Sequence, residues 1–151
     1  MADFKTITID REIACAPDHL FRVMTDRDLR QKWSAPDDES VVIIDEYDCR
    51  AGGYEKTRCG PKEAPEFQTI GNFHVVNPEF LSFTETLVVQ GETLSVSLCS
   101  HEISATDSGS ALRVVLQVTS LAGPEIFEDY KGGWGAALDN LVALAKNHPM
   151  N

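Results

Sequence analysis

The sequence predicts an α+β domain in the order strand, two short helices, six further strands and one long helix. Three observations carry that prediction. Between residues 41 and 120 most segments alternate apolar and polar positions with the period of a strand. The connectors between those segments are short and rich in turn residues, and short connectors require antiparallel neighbours. From Gly123-Pro124 onward the period becomes that of an amphipathic helix.

Taken in order, FKTITIDREI (4–13), with Phe4, Ile7, Ile9 and Ile13 prominent, reads as the first strand. Pro17 stands where a helix opens, with Asp18 in the first turn and Leu20, Phe21, Val23 and Met24 as its core face. Thr25 with Asp28 resembles a capping box for a second helix, on which Leu29 and Trp33 lie one turn apart. Ala35-Pro36-Asp37-Asp38 ends it. VVIIDEYDC (41–49) is the next strand, Ala51-Gly52-Gly53 a turn, and Tyr54 the start of another strand, followed by a loop at 60–65. FQTIGNFHVV (67–76), FLSFTETLVV (80–89), LSVSLCSHEISA (94–105) and ALRVVLQVTS (111–120) complete the set, joined through NPE, QGET and TDSGS. In the first of these four, Phe67, Gly71, Phe73 and Val75 form the inner set and His74 points outward. No repeat, low-complexity segment or linker interrupts the chain, so residues 1–151 are expected to form a single domain.

The final segment raises a question of its own. An unbroken helix to about Asn147 places Phe127, Tyr130, Trp134, Ala137, Leu138, Leu141 and Ala145 on one stripe, with Gly133 and Gly135 on its flanks. Each glycine costs such a helix about 0.5–1 kcal/mol relative to alanine. Three readings remain open: a break between two helices, tight packing against the sheet, or a helix thinned to leave room. Gly132 points the other way and fits none of them.

Composition narrows the function. The formal net charge is −11, from 24 acidic and 13 basic residues. That field repels phosphate backbones and anionic headgroups, so neither nucleic acid nor membrane is an expected partner. The one basic cluster, RDLRQK (27–32), reads as a solvated helix face. No apolar run is long enough to span a bilayer, and the opening residues lack a secretory signal; a cytoplasmic location follows by default. Cys15, Cys49, Cys59 and Cys99 have no CxxC spacing and read as reduced thiols. Cys99-Ser100-His101 is the best local case for a metal, but no partner pair accompanies it, and no metal is expected.

No GxSxG, HExxH, P-loop or GxGxxG motif is present, and no cofactor is expected. Isolated polar residues remain. Alternation puts Glu85 on a face with Leu81, Phe83 and Leu87, either as a buried acid with a raised pKa or as a carboxylate reaching solvent or an arginine. His101 shares a mixed face with Ser97, Cys99 and Ile103. Arg50 is expected to fix its turn or pair with a nearby carboxylate. Trp33 and Trp134 serve either as core or as a ligand platform.

The stretches PDHLFRVMTDRDLRQKW, YDCRAGGYEK and YKGGWGAALDNLVAL give the chain a family likeness. The motif residues are Pro17, Phe21, Thr25-Asp26, Trp33, Asp48-x-Arg50-x-Gly52-Gly53, Gly71, Leu81, Thr84, Gly133-Trp134 and Leu138-x-x-Leu141. In this order the chain resembles the Hsp90-ATPase-activator-homologue branch of the START-like (SRPBCC) superfamily. The resemblance implies a helix-grip, START/Bet v 1-like fold: a curved antiparallel sheet of six or seven strands, two short helices, and a long C-terminal helix across the sheet. It also implies a cavity between that helix and the sheet which often holds an apolar small molecule. Members include ligand binders, lipid carriers, cyclases or aromatases and stress-related proteins, and a eukaryotic relative activates a chaperone ATPase.

Three function classes follow. The leading one is a binding module for a small hydrophobic or aromatic molecule. The second is a protein-interaction module, with a chaperone as partner or as a homodimer. The third is a cyclase- or dehydratase-type enzyme using Glu85 or His101 as acid and base. The cavity-lining candidates are Trp33, Phe73, Phe83, Glu85, His101, Trp134 and Leu138.

Overall fold

The computed structural model describes residues 1–148. Strand β1 (Asp3–Ile13) buries Ile7, Ile9 and Ile13, whereas Phe4, of the opposite parity, lies on the outer face. Two helices follow, α1 (Pro17–Thr25) and α2 (Arg27–Ser34), then six strands: β2 (Ser40–Tyr47), β3 (Tyr54–Pro61), β4 (Phe67–Asn77), β5 (Phe80–Val89), β6 (Glu92–Thr106) and β7 (Gly109–Ser120). Helix α3 (Ile126–Asn147) closes the chain. The sheet has seven strands in the order β1-β7-β6-β5-β4-β3-β2, every pair antiparallel. Five successive hairpins therefore walk from β2 to β7, and α1 with α2 carries the chain between the sheet's two edges. Register shifts at Ile44/Glu46, Phe73/Val75 and Leu87/Val88 bend the strands, and the concave side faces α3. This is the helix-grip arrangement.

Pro17 opens α1 with no side-chain cap, its missing N–H being one that a first turn leaves unpaired anyway. The cap of α2 is Asp26, whose carboxylate accepts from the Leu29 N–H at 3.1 Å. The expected capping residue, Thr25, is still in the last turn of α1, where its hydroxyl donates to the Phe21 carbonyl. The basic run 27–32 is solvated at Arg27, Asp28, Gln31 and Lys32, as expected, but not at Arg30. Arg27 donates to the Ile44 carbonyl at 2.7 Å, and the Arg30 side chain is only 13% exposed. The α2 stripe formed by Leu29 and Trp33 is wide enough to take Arg30 in with it.

In β4 the shift after Phe73 reverses the alternation. Val75, expected inside, is 38% exposed, and Val76 packs against the core instead. His74 is exposed as expected, bonded to Thr84 Oγ1.

Helix α3 runs unbroken through Gly132, Gly133 and Gly135. It starts at Ile126, two residues after Pro124, because Ser120 Oγ donates to the Gly123 carbonyl and holds the chain in a turn there. Phe127, Tyr130, Ala137, Leu138, Leu141 and Ala145 are buried and Trp134 is half-buried, so the anticipated stripe forms. A Cβ at Gly132 or Gly133 would meet nothing within 4 Å, and at Gly135 only Arg11 Nη2 at 3.7 Å. Tight packing is therefore not what these glycines serve.

The β2–β3 turn does need its glycine. A Cβ at Gly53 would fall well inside van der Waals contact of the Asp48 carbonyl oxygen, while Gly53 also exchanges backbone hydrogen bonds with Arg50 and Phe73. Arg50 pairs with Asp48 at 2.8 Å on the exposed side of this turn. We expect Gly53→Ala to cost about 1–3 kcal/mol through forced backbone movement. Arg50→Ala should cost no more than about 1 kcal/mol, because the pair is exposed. Urea unfolding of both variants separates these outcomes, and equal losses would show that the ion pair, not the glycine, secures the turn.

Candidate functional site

The concave face of the sheet is built in transverse rows set by strand register. One row reads Tyr47, Glu55, Gly71, Glu85, Ser97 and Val118 across six strands. Towards one end of the strands come Phe73, Phe83, Cys99 and Leu116, and next Leu81, His101 and Val114. Towards the other end lie Thr57, Thr69, Leu87 and Ser95, and then Cys59 with Phe67. The C-terminal half of α3 covers the first side with Leu138, Leu141 and Ala145, each at most 1% exposed.

The N-terminal half of α3 stands off from the second side. Between them is a cavity of about 450 Å³. Its walls include Trp33 from α2, Phe67, Leu87 and Val89 from the sheet, and Ile126, Gly133 and Trp134 from α3; Arg30, Glu55 and Glu85 supply its charged end. Asp129 borders it from the exposed side of α3. A second depression, of about 430 Å³, is lined by Asp10, Arg11, Glu12, Glu102 and Arg113. Its arginines are already paired, Arg113 with Asp10 and Arg11 with Asp139, and it lacks aromatic walls.

Three elements fix the charged end. Arg30 Nε lies 3.5 Å from Glu55 Oε1, its Nη1 donates to Ser34 Oγ at 2.7 Å, and its guanidinium carbon sits 4.7 Å from the Trp33 ring centroid. Trp33 is held in turn by its indole N–H, which donates to the Val23 carbonyl. Burial works against the Arg30 charge, but Glu55, then Tyr47 and Glu85, outweigh it and hold the guanidinium above its ordinary value. Glu85 has no hydrogen bond or ion pair of its own among the described residues. Burial pushes its pKa up, the Arg30 charge pulls it down and Glu55 pushes it up again, leaving it at about 7. Beside it, the Tyr130 hydroxyl is hydrogen-bonded to Ser95 at 2.9 Å, and Cys59 is pushed up to about 11, chiefly by burial. The thiol is thus a poor nucleophile at neutral pH.

Of the residues singled out from the sequence, Trp33, Glu85 and Trp134 border this cavity. Phe73, Phe83, His101 and Leu138 do not. They form the sealed core on the other side of the Glu55–Glu85 row, where every one is at most 3% exposed. Alternation shows which face a residue occupies but not how far along the strand the helix touches down. His101 lies between the rings of Phe83 and Trp134, at centroid distances of 5.5 and 5.6 Å, with no hydrogen-bond partner on either nitrogen among the described residues. Burial, then the Arg30 charge, pulls its pKa down to about 3. Arg30 and Glu55 were missed. A basic cluster looked solvated, and a Glu at the second position of a strand beginning Tyr54-Glu55 gave no sign of facing inward. The nearest signal was Arg30 lying three residues before Trp33, within one helical turn.

The two perturbed groups oppose each other in pH. His101 titrates near 3 in the fold against 6.5 ordinarily, so the unfolded chain binds a proton that the fold refuses, and stability falls as pH drops below 6.5. Glu85 titrates near 7 against 4.5, so the fold keeps a proton that the unfolded chain has released, and stability falls as pH rises above 4.5. Between 4.5 and 6.5 the two slopes cancel. We expect His101→Phe to lose stability with rising pH in this window and Glu85→Gln to gain it, each by up to about 1.4 kcal/mol per pH unit. Urea unfolding at three pH values reads both slopes, and slopes of the same sign would refute the assignment.

No curated protein matches the chain in sequence. Solved structures match it closely in fold. An uncharacterised protein from Rhizobium leguminosarum, solved at 1.9 Å, superposes with a TM-score of 0.85 at 19% identity, covering 98% of each chain. A protein from Rhizobium loti gives 0.83 at 23% identity, covering 95% of this chain and 98% of its own. One from Chromobacterium violaceum gives 0.81 at 22%, covering 93% and 97%. At such identities the likeness speaks to the fold alone. Residues 14–146 match the family described as Activator of Hsp90 ATPase homolog 1-like protein, and with that match and the START-like helix-grip fold the chain belongs to this family.

Proposed function

We propose that the protein binds a small, largely apolar molecule in the cavity between α3 and the sheet. The observation that carries this reading is the stand-off of α3 at Gly133. The cavity volume of about 450 Å³ lies within the range of small-molecule sites, and its walls are mostly apolar and aromatic. A Cβ at Gly133 would meet no atom within 4 Å, so the helix bears an unfavourable residue where packing asks for none. What the glycine does preserve is cavity volume. Trp134, beside it, separates the cavity from the sealed core through its edge contact with His101.

A second reading is supported by Glu85. A carboxyl titrating near 7 against an apolar cavity has the pKa of a general acid–base group, as a cyclase- or dehydratase-type reaction on a bound ligand would use. His101, the other candidate for that role, is walled off from the cavity by Trp134. The chaperone-regulator reading rests on the family description alone.

The test uses prodan, a neutral naphthalene dye whose emission reports an apolar site. Gly133→Leu should abolish prodan binding in a folded protein, whereas Gly132→Leu, one residue away on the exposed side, should leave it intact. Gly133→Ala should raise the unfolding free energy by about 0.5–1 kcal/mol. If Gly133→Leu and Gly132→Leu bind prodan alike, the cavity is not the binding site.

A further inference from the structure

The charged end of the cavity also constrains what kind of apolar molecule fits, provided the ligand-binding reading above holds. Among the residues that line the cavity, Arg30 is the single cation, against the carboxylates of Glu55, Glu85 and Asp129. Arg30 is also committed on three sides: to Glu55, to Ser34 and to the face of Trp33. Glu55, 4% exposed, is satisfied by it. Glu85 has no such partner. It stands two strands from Glu55 in the same row, with Gly71 between them contributing no side chain, so that Glu55 Oε2 lies 3.8 Å from where a Cβ there would be.

We propose that the cavity takes an organic cation, an amine carried on an aromatic or aliphatic body, with its ammonium group against Glu85 and its apolar part between Trp33, Phe67 and Trp134. Charge complementarity decides among the candidates. A carboxylate ligand would enter a site with an excess of acid and a guanidinium already engaged, in a protein whose net charge of −11 repels it from a distance. A neutral ligand can at most hydrogen-bond Glu85 and leaves it without a countercharge. An ammonium supplies the missing countercharge, and the aromatic walls favour a cation as well.

The reading also has a pH signature. Arg30 from α2, Glu55 and Cys59 from β3, Cys99 from β6 and Tyr130 from α3 lie within electrostatic reach of Glu85, and Asp129 from α3 borders the same cavity. Of these, Arg30, Cys59, Cys99 and Tyr130 are all held above their ordinary pKa values, so they keep their protons near neutrality. Glu85 itself passes from mostly neutral at pH 6 to mostly ionised at pH 8. An ammonium ligand should therefore bind about tenfold more tightly at pH 8 than at pH 6.

Titration calorimetry with three molecules of one shape tests this: 1-naphthylmethylamine, 1-naphthalenemethanol and 1-naphthoate. At pH 8 the amine should bind at least about tenfold more tightly than the alcohol, and the carboxylate more weakly than either. Glu85→Gln should reduce the amine to the level of the alcohol while the alcohol keeps its affinity, which also reports that the variant folds. Should that variant fail to fold, the rise in amine affinity from pH 6 to pH 8 in the unaltered protein, absent for the alcohol, serves instead. Alcohol binding equal to or tighter than amine binding would overturn the cation proposal and leave the apolar cavity standing. Binding of none of the three, with prodan also indifferent to Gly133→Leu, would overturn both.

Discussion

Helix α3 has to seal one half of a curved sheet and stand clear of the other. The first task is done by Leu138, Leu141 and Ala145, which reach the sheet and α1 without leaving solvent access. The second falls to the turns around Gly133, from which only the long side chains of Tyr130, bonded to Ser95, and Trp134, in edge contact with His101, reach across to the sheet beside the cavity. Everything else at the site follows from that unequal closure. If the helix lay flat against the sheet, the Glu55–Gly71–Glu85 row would sit in a sealed interior, where two carboxylates and one guanidinium could not all keep their charges. Because the helix stands off, the row forms the charged end of a cavity and Glu85 retains some access to solvent through it.

Arg30 then becomes the residue on which the charged end depends. It comes from a helix of eight residues and is pinned by a tryptophan that is itself hydrogen-bonded to α1. One cation reaches Glu55 directly and Glu85 through space, so the two carboxyls divide its influence unequally. The one in contact is neutralised by pairing, whereas the one beyond contact is left to titrate near neutrality. On the far side of Trp134 the same positive charge, added to burial, keeps His101 unprotonated. Burial is the larger influence on both groups, and a single arginine adjusts the proton state on both sides of the wall that Trp134 forms.

Much of the fold was legible because its signals are periodic. Strand alternation found all seven strands, and the 100° stripe of α3 named Phe127, Leu138 and Leu141 in advance. What failed were local departures from period. The shift after Phe73 turned Val75 outward, and Asp26 rather than Thr25 capped α2 because one turn of α1 had still to finish. At the site, period assigned the right face to Phe73, Phe83 and His101 but had no means of locating the line along the strands where helix contact gives way to cavity. That line depends on how α3 lies across the sheet, which is a property of the whole packing. Arg30 was hidden for a related reason: its burial is decided by Glu55, 25 positions away along the chain, and not by its basic neighbours.

The residues that make the chain recognisable and those that give the site its chemistry are largely different sets. Trp33, Gly71, Gly133 and Trp134 belong to the motifs that mark the family, and they position the wall, the gap in the row and the thinned helix. Arg30, Glu55, Glu85, Phe67 and Asp129 belong to none of those motifs, yet they supply the charge and part of the lining of the cavity. Trp33, Gly133 and Trp134 help to bound the cavity, and the other set gives it its charge and the rest of its lining. Replacing Glu85 by an apolar residue would remove the excess acid from the sheet side of the cavity end, because Arg30 and Glu55 would then neutralise each other. The charge of the cavity is therefore a matter of one or two side chains in a fixed frame, and membership of the family specifies the frame alone.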